Sequence, residues 1–216
     1  MGETFPALLS QALLAGALVT VKVAAGSLAI AIALGLALAA ILVLTRNRFA
    51  HGLIRLYVEA LRNVPSLTFL FLLYFGLAAV GVKLSSTVAA IAGLGLIGGA
   101  VCVDIFRSGF RSVPDGQCEA AASVGLSPVT AFRLIVLPQG LRLALPSIGN
   151  YAISLLKDTS LVAAIAAPEV MFNARQLVNE TFQTALIYGC AAVVYLVLTT
   201  AVAQSVLLVE RRLELR

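Results

Sequence analysis

From Leu13 to Thr45 the chain offers a single ionisable side chain, Lys22, and no cluster of turn-forming residues. As a helix rising ~1.5 Å per residue, the run is roughly 50 Å long, well beyond the ~30 Å hydrocarbon core of a bilayer. It predicts one long, tilted membrane helix, with Lys22 near the outer end, where its stem can snorkel to the interface. Composition agrees, with 61% hydrophobic residues, 12% charged and a mean hydropathy of +1.03, where soluble domains carry ~25% charged residues. The only early charge is Glu3 rather than a basic cluster, so no cleaved leader is expected.

The remaining spans follow from where the arginines fall. The connector Arg46-Asn47-Arg48-Phe49-Ala50-His51, followed by Arg55, faces the cytoplasm by the positive-inside rule, which puts the N-terminus outside. His51 is expected to be a solvated loop residue. A second span is expected over 56–80. It carries Glu59, Arg62, Asn63 and Pro65 near its start, the proline fitting an early turn or a kink. A short external turn with one cation, Lys83, leads to a third span over 87–109. Gly93, Gly95, Gly98 and Gly99 mark that span as the buried helix, because small residues let backbones approach closely in lipid. Asp104, near its cytoplasmic end, either pairs with an arginine such as Arg107 or belongs to a transport path.

Arg107, Arg111, Arg133 and Arg142 place a central loop, 110–140, inside. A fourth span over 146–167, a polar external segment over 168–183 and a last span over 184–209, ending at Arg211, Arg212 and Arg216, complete the chain. The expected fold is all-α: a polytopic membrane protein with about five transmembrane helices, in a single domain over 1–216. No internal repeat is apparent, which counts against a two-half secondary transporter.

The net charge of +5 is distributed between alternate spans rather than along one stripe, so membrane topology explains it and nucleic acid does not. Cys102, Cys118 and Cys190 have no metal-type spacing and are expected to be reduced thiols. There is no Gly-x4-Gly-Lys-Ser/Thr phosphate loop, no metal-ligand cluster around the single histidine, and no glycine-flanked serine with a base. The chain is therefore expected not to be an enzyme and to bind no cofactor itself.

The central loop is too polar to be a span. Ser127-Pro128 divides it into two amphipathic pieces, Gln117–Gly125 and Pro128–Leu137, predicting a helix–turn–helix beside the membrane. Along it run Glu119-Ala120-Ala121, then Gly125, then Ile135-Val136-Leu137-Pro138. This pattern resembles the glutamate-alanine-alanine, glycine, isoleucine-x-leucine-proline signature of ATP-binding-cassette importer permeases, with both internal spacings fitting without a gap. Phe106-Arg107-Ser108-Gly109-Phe110, Val113-Pro114-Asp115-Gly116-Gln117, Leu137-Pro138-Gln139 and Lys157-Asp158-Thr159-Ser160-Leu161 are similar to the polar amino acid branch, the histidine, glutamine and glutamate type. Asp104 and Cys118 depart from it, standing where that branch more commonly has a glutamate and an aromatic residue.

The resemblance implies that Glu119, Ala120, Ala121, Gly125, Ile135, Leu137 and Pro138 form a coupling loop seated in a groove of a separate ATPase. It implies a pair of five-span permease subunits, identical or homologous, with two ATP-binding-cassette ATPase subunits below and an extracytoplasmic solute-binding protein above. ATP and Mg would be held by the partner ATPase, and the location is the bacterial cytoplasmic (inner) membrane. The function implied is import of polar amino acids. Two readings without an ATPase remain open: an ion-coupled carrier or channel, for which Asp104, Lys157 and Asp158 would have to serve as the relay, and a membrane scaffold.

In the fourth span Ser147, Asn150, Ser154, Lys157 and Asp158 recur at offsets 0, 3, 7, 10 and 11, within roughly 100° of one helix face. A central charge facing lipid costs ~2.5–3.5 kcal/mol, so this face is expected to point into the bundle or a wet cavity. The cluster Lys157, Asp158, Thr159, Ser160 resembles the family's element beside the pathway, and Asp104 is a further candidate. Asp158 could meet the ammonium of an amino acid and Lys157 its carboxylate. Alternatively, the two neutralise an arginine and a glutamate on neighbouring spans.

Overall fold

A computed structural model describes residues 5–214; Glu3 and Arg216, singled out above, lie outside the described residues. The described chain is helical throughout apart from short connections. The expected long first helix is α1, Phe5–Leu44, which begins earlier than the apolar run and continues without a break. Its buried positions, Leu13, Gly16, Thr20, Val23, Ser27, Ala31, Gly35 and Ala39, fall on one face at intervals of three or four. Most are small, so packing in lipid rests on close backbone approach rather than on burying bulk.

The second span is not one helix. α2, Arg48–Asn63, and α3, Ser66–Ala79, meet at a bend of 106°. The cause lies in Val64-Pro65: proline has no N–H to continue the ladder and forces the residue before it out of the helical region, and Val64 has φ −88° and ψ 131°. α2 opens on Asn47, whose side chain accepts from the Phe49 and Ala50 amides. α3 widens into a π turn at Leu72–Gly76. By length and composition there are four spans, or five when the bent pair is taken as one.

The glycine-rich third span is the central helix, as expected. α4, Ser86–Arg111, lies along α1 and also packs on α2, α3 and the helix carrying the fourth span. The glycines are where neighbours come closest. A Cβ on Gly35 would sit 2.8 Å from the backbone carbon of Cys102, and one on Gly109 would sit 2.9 Å from the Cβ of Ala144.

After the short helix α5, Asp115–Ser123, the chain enters α6, which runs without a break over Pro128–Ile165. The span expected to begin at Pro146 therefore begins 18 residues earlier, and Pro146 lies inside the helix. Two local departures from regular geometry accommodate this length. A π turn at Phe132–Val136 precedes Pro138, whose ring would otherwise press on the carbonyl one turn back, and a 3-10 turn at Thr159–Ile165 tightens the far end. α7, Val170–Thr181, forms within the segment expected to be an external polar loop, and α8, Thr184–Glu214, is the last span.

Candidate functional site

The signature segment folds as two connected but unequal parts. α5 starts after Pro114 with Asp115 in its first turn, where a carboxylate complements the helix dipole. It ends at Gly125, whose φ of +79° is left-handed. The Gly125 amide donates to the Ala122 carbonyl and the Leu126 amide to the Ala121 carbonyl, each at 3.0 Å. This pair is the Schellman closure that a C-terminal glycine permits. Ser127 then caps α6, its Oγ accepting from the Thr130 amide at 3.2 Å with Pro128 in the first turn.

Glu119, Ala120 and Gly125 are exposed, and a Cβ built on Gly125 meets nothing within 4 Å. Ala121 differs: it is buried within the chain, on the side of α5 that packs on the start of α6. Ile135 and Leu137 are half-buried and Pro138 is exposed. Between them Val136 and Phe132 are buried, Phe132 edge-on to Phe110 with ring centroids 5.2 Å apart. The second amphipathic piece is thus not a free hairpin arm but the foot of α6, continuous with the fourth span.

Higher on α6, Ser147, Asn150, Ser154, Lys157 and Asp158 are all exposed, forming one polar face. Ser154 satisfies its hydroxyl on the Asn150 carbonyl at 3.2 Å. Among the described residues the ion pairs are Arg55–Glu59 and Arg62–Asp104, so neither Lys157 nor Asp158 has an ionic partner there. Thr159 points away from this face; it is fully buried, its hydroxyl donating to the Leu156 carbonyl at 2.7 Å, and Ser160 is half-buried. Asp104 stands apart from the polar face and pairs with Arg62 of α2 rather than with Arg107.

One buried carboxylate escapes sequence reasoning. Glu169, in the segment expected to be an external polar loop, is fully buried. It caps α7 by accepting from the Met171 and Phe172 amides at 2.9 and 2.7 Å, on Oε2 and Oε1, and the Tyr195 hydroxyl of α8 donates to Oε2 as well. Burial pushes its carboxyl above the usual range, while the hydrogen bonds from Tyr195, Met171 and Phe172 act in the opposite direction. The only signal in the sequence is its place as an acceptor just before the Val170-Met171-Phe172 run.

A bundle of apolar helices, four or five of them long enough to cross a membrane, with a short and mostly exposed helix α5 and an exposed polar face on α6, defines a multi-span membrane protein. Residues 9–215 match the family described as binding-protein-dependent transport system inner membrane component, and the chain belongs to that family. It is 42% identical over 167 residues to the "Probable glutamine ABC transporter permease protein" of Bacillus subtilis (strain 168), covering 76% of this chain and 75% of the relative. Over 217 residues it is 33% identical to an octopine transport system permease protein of Rhizobium meliloti, covering 96% of this chain and 86% of that one. The solved structure of an amino acid ABC transporter with histidines superposes with a TM-score of 0.88 at 27% identity, covering 98% of this chain and 100% of that chain. The family assignment favours the importer permease over a carrier or channel acting alone.

Proposed function

We propose that this chain is one of two permease subunits, identical or homologous, that enclose a single path carrying polar amino acids into the cell. ATP is hydrolysed on separate ATP-binding-cassette subunits, which hold the nucleotide and Mg, and an extracytoplasmic solute-binding protein delivers the substrate. The reading is carried by the polar face of α6: Ser147, Asn150, Ser154, Lys157 and Asp158 are exposed on a single chain, and such groups are costly against lipid. A second permease closing over this face turns it into the wall of a wet path. Glutamine and octopine in the names of the relatives support an amino acid as the cargo.

Within that path Asp158 receives an ammonium or a basic side chain, and Lys157 a carboxylate. Glu119, Ala120 and Gly125 offer the ATPase an exposed surface with little side-chain bulk, while Ala121 and Val136 hold that surface to the bundle. The N-terminus is outside and the C-terminus inside, in the inner membrane. The test is Asp158→Asn in the complex reconstituted with its ATPase. Transport should fall or change its amino acid preference while the ATPase stays bound. Loss of assembly with unchanged selectivity in the surviving complexes would make Asp158 a structural residue instead.

A further inference from the structure

Where the ends of α1 and α4 meet α2, a cavity of about 1020 Å³ opens at the arginine-rich end of the bundle. Its basic lining is Arg48, Arg55, Arg62, Arg107 and Arg111, with His51 beside them, against two carboxylates, Glu59 and Asp104. The carboxylates are already engaged by Arg55 and Arg62. Arg48, Arg107 and Arg111 therefore have no acidic partner among the described residues, and the cavity carries an excess of three positive charges with His51 neutral. Leu42, Val43, Ile54, Val58 and Val103 supply apolar walls.

α2 fixes the depth of this cavity. At ~100° per residue, Arg48, Gly52, Arg55, Glu59 and Arg62 lie within roughly 80° of one another, on the face that lines the cavity. Phe49, Leu53 and Leu56 form a second face, 74%, 52% and 67% exposed, and Ile54 and Val58 a third, buried against α4. A helix with a basic face and an exposed apolar face lies at the boundary between headgroups and acyl chains. From Arg111, at the end of α4, to Asp104 is seven residues, or about 10 Å along the helix, a depth comparable to the ~5–10 Å to which an interfacial helix sinks its apolar face at the headgroup–acyl boundary.

We propose that this cavity binds the phosphate of an anionic membrane phospholipid from the adjoining leaflet, its headgroup on Arg48, Arg107 and Arg111 and its first methylenes against Leu42 and Val43. Guanidinium groups suit a phosphate because they present paired donors, and basic pockets between membrane helices recognise such headgroups. The walls decide between the two sources of phosphate: a free anion has no use for the apolar side, whereas a lipid fills both.

The experiment uses the permease–ATPase complex in nanodiscs containing equal phosphatidylglycerol and phosphatidylcholine, with lipids retained after detergent extraction counted by native mass spectrometry. The wild type should retain phosphatidylglycerol in about tenfold excess, a difference of about 1.4 kcal/mol. R107Q/R111Q should abolish the excess, R107K/R111K should keep most of it, and R142Q, an exposed arginine outside the cavity, should leave it unchanged. If the double variant does not assemble, R48Q, at another arginine of the lining, carries the same expectation. Equal retention of the two lipids by the wild type, or an excess that survives R107Q/R111Q, overturns the proposal. Displacement of the lipid by millimolar inorganic phosphate overturns it too, assigning the cavity to a soluble anion.

Discussion

Gly125 separates two demands made on one position. Its φ of +79° costs an ordinary L-residue ~1–2 kcal/mol, yet none of the described residues beyond its chain neighbours stands within 4 Å of a Cβ placed there. Asparagine tolerates the left-handed region better than most residues, so Gly125→Asn keeps the turn while adding bulk to the exposed side. Both Gly125→Asn and Gly125→Asp should leave the permease inserted and folded but lower stimulated ATPase activity about tenfold, about 1.4 kcal/mol of lost coupling. Wild-type stimulation and transport in both variants would reduce Gly125 to the end of a helix. The spacing of Glu119, Gly125 and Pro138 was legible in the sequence because a signature in a polar loop stands out against apolar flanks. The inward turn of Ala121 was not, since one alanine carries no signal of which way it faces. Glu169 was misplaced for a related reason: a run of polar residues reads as solvent-facing, and only the Met171 and Phe172 amides, with the Tyr195 hydroxyl from far along the chain, show how its carboxyl is accommodated in the interior.

Among the helices, the contact between α1 and α4 sets the architecture. Because lipid offers helices no hydrophobic gain on meeting, that contact depends on fit. Gly35→Ala introduces a Cβ 2.8 Å from the backbone carbon of Cys102, so α1 must move away from α4 over more than one turn. Its thermal midpoint in detergent should fall by several degrees, whereas Gly189→Ala on α8, where a Cβ meets nothing within 4 Å, should be neutral or slightly stabilising. An equal effect at the two sites would remove the close-approach account. Length and hydropathy made α1, α4 and α8 legible, since each is a long apolar run. α2 and α3 were harder: Pro65 was visible as a kink, but not that the kink reaches 106°. The foot of α6 was legible as an amphipathic piece over Pro128–Leu137, but not that it continues past Pro138 and Pro146 into the fourth span as a single helix, because two prolines read as breaks.

At the scale of the whole molecule the orientation of the chain is open to direct measurement. Lys83→Cys and Asn179→Cys, both at exposed positions, should react with a membrane-impermeant thiol reagent added outside intact cells, in a background with Cys118 replaced. Labelling of both only from the cytoplasmic side would reverse the topology. A single chain also leaves the polar face of α6 uncovered, and in the proposed function a second permease subunit is what would close over it. The unbroken course of α6 then has a mechanical meaning. Ile135 at its foot and Asp158 on its polar face are joined by one helix, about 35 Å apart, with no loop between them to absorb a displacement. A tilt of about 5° imposed where the foot meets an ATPase would carry Asp158 sideways by about 3 Å over that distance, roughly the length of a hydrogen bond. Under the proposed function such a helix would act as a lever, letting a small movement on the nucleotide side make or break a contact with cargo deep in the membrane.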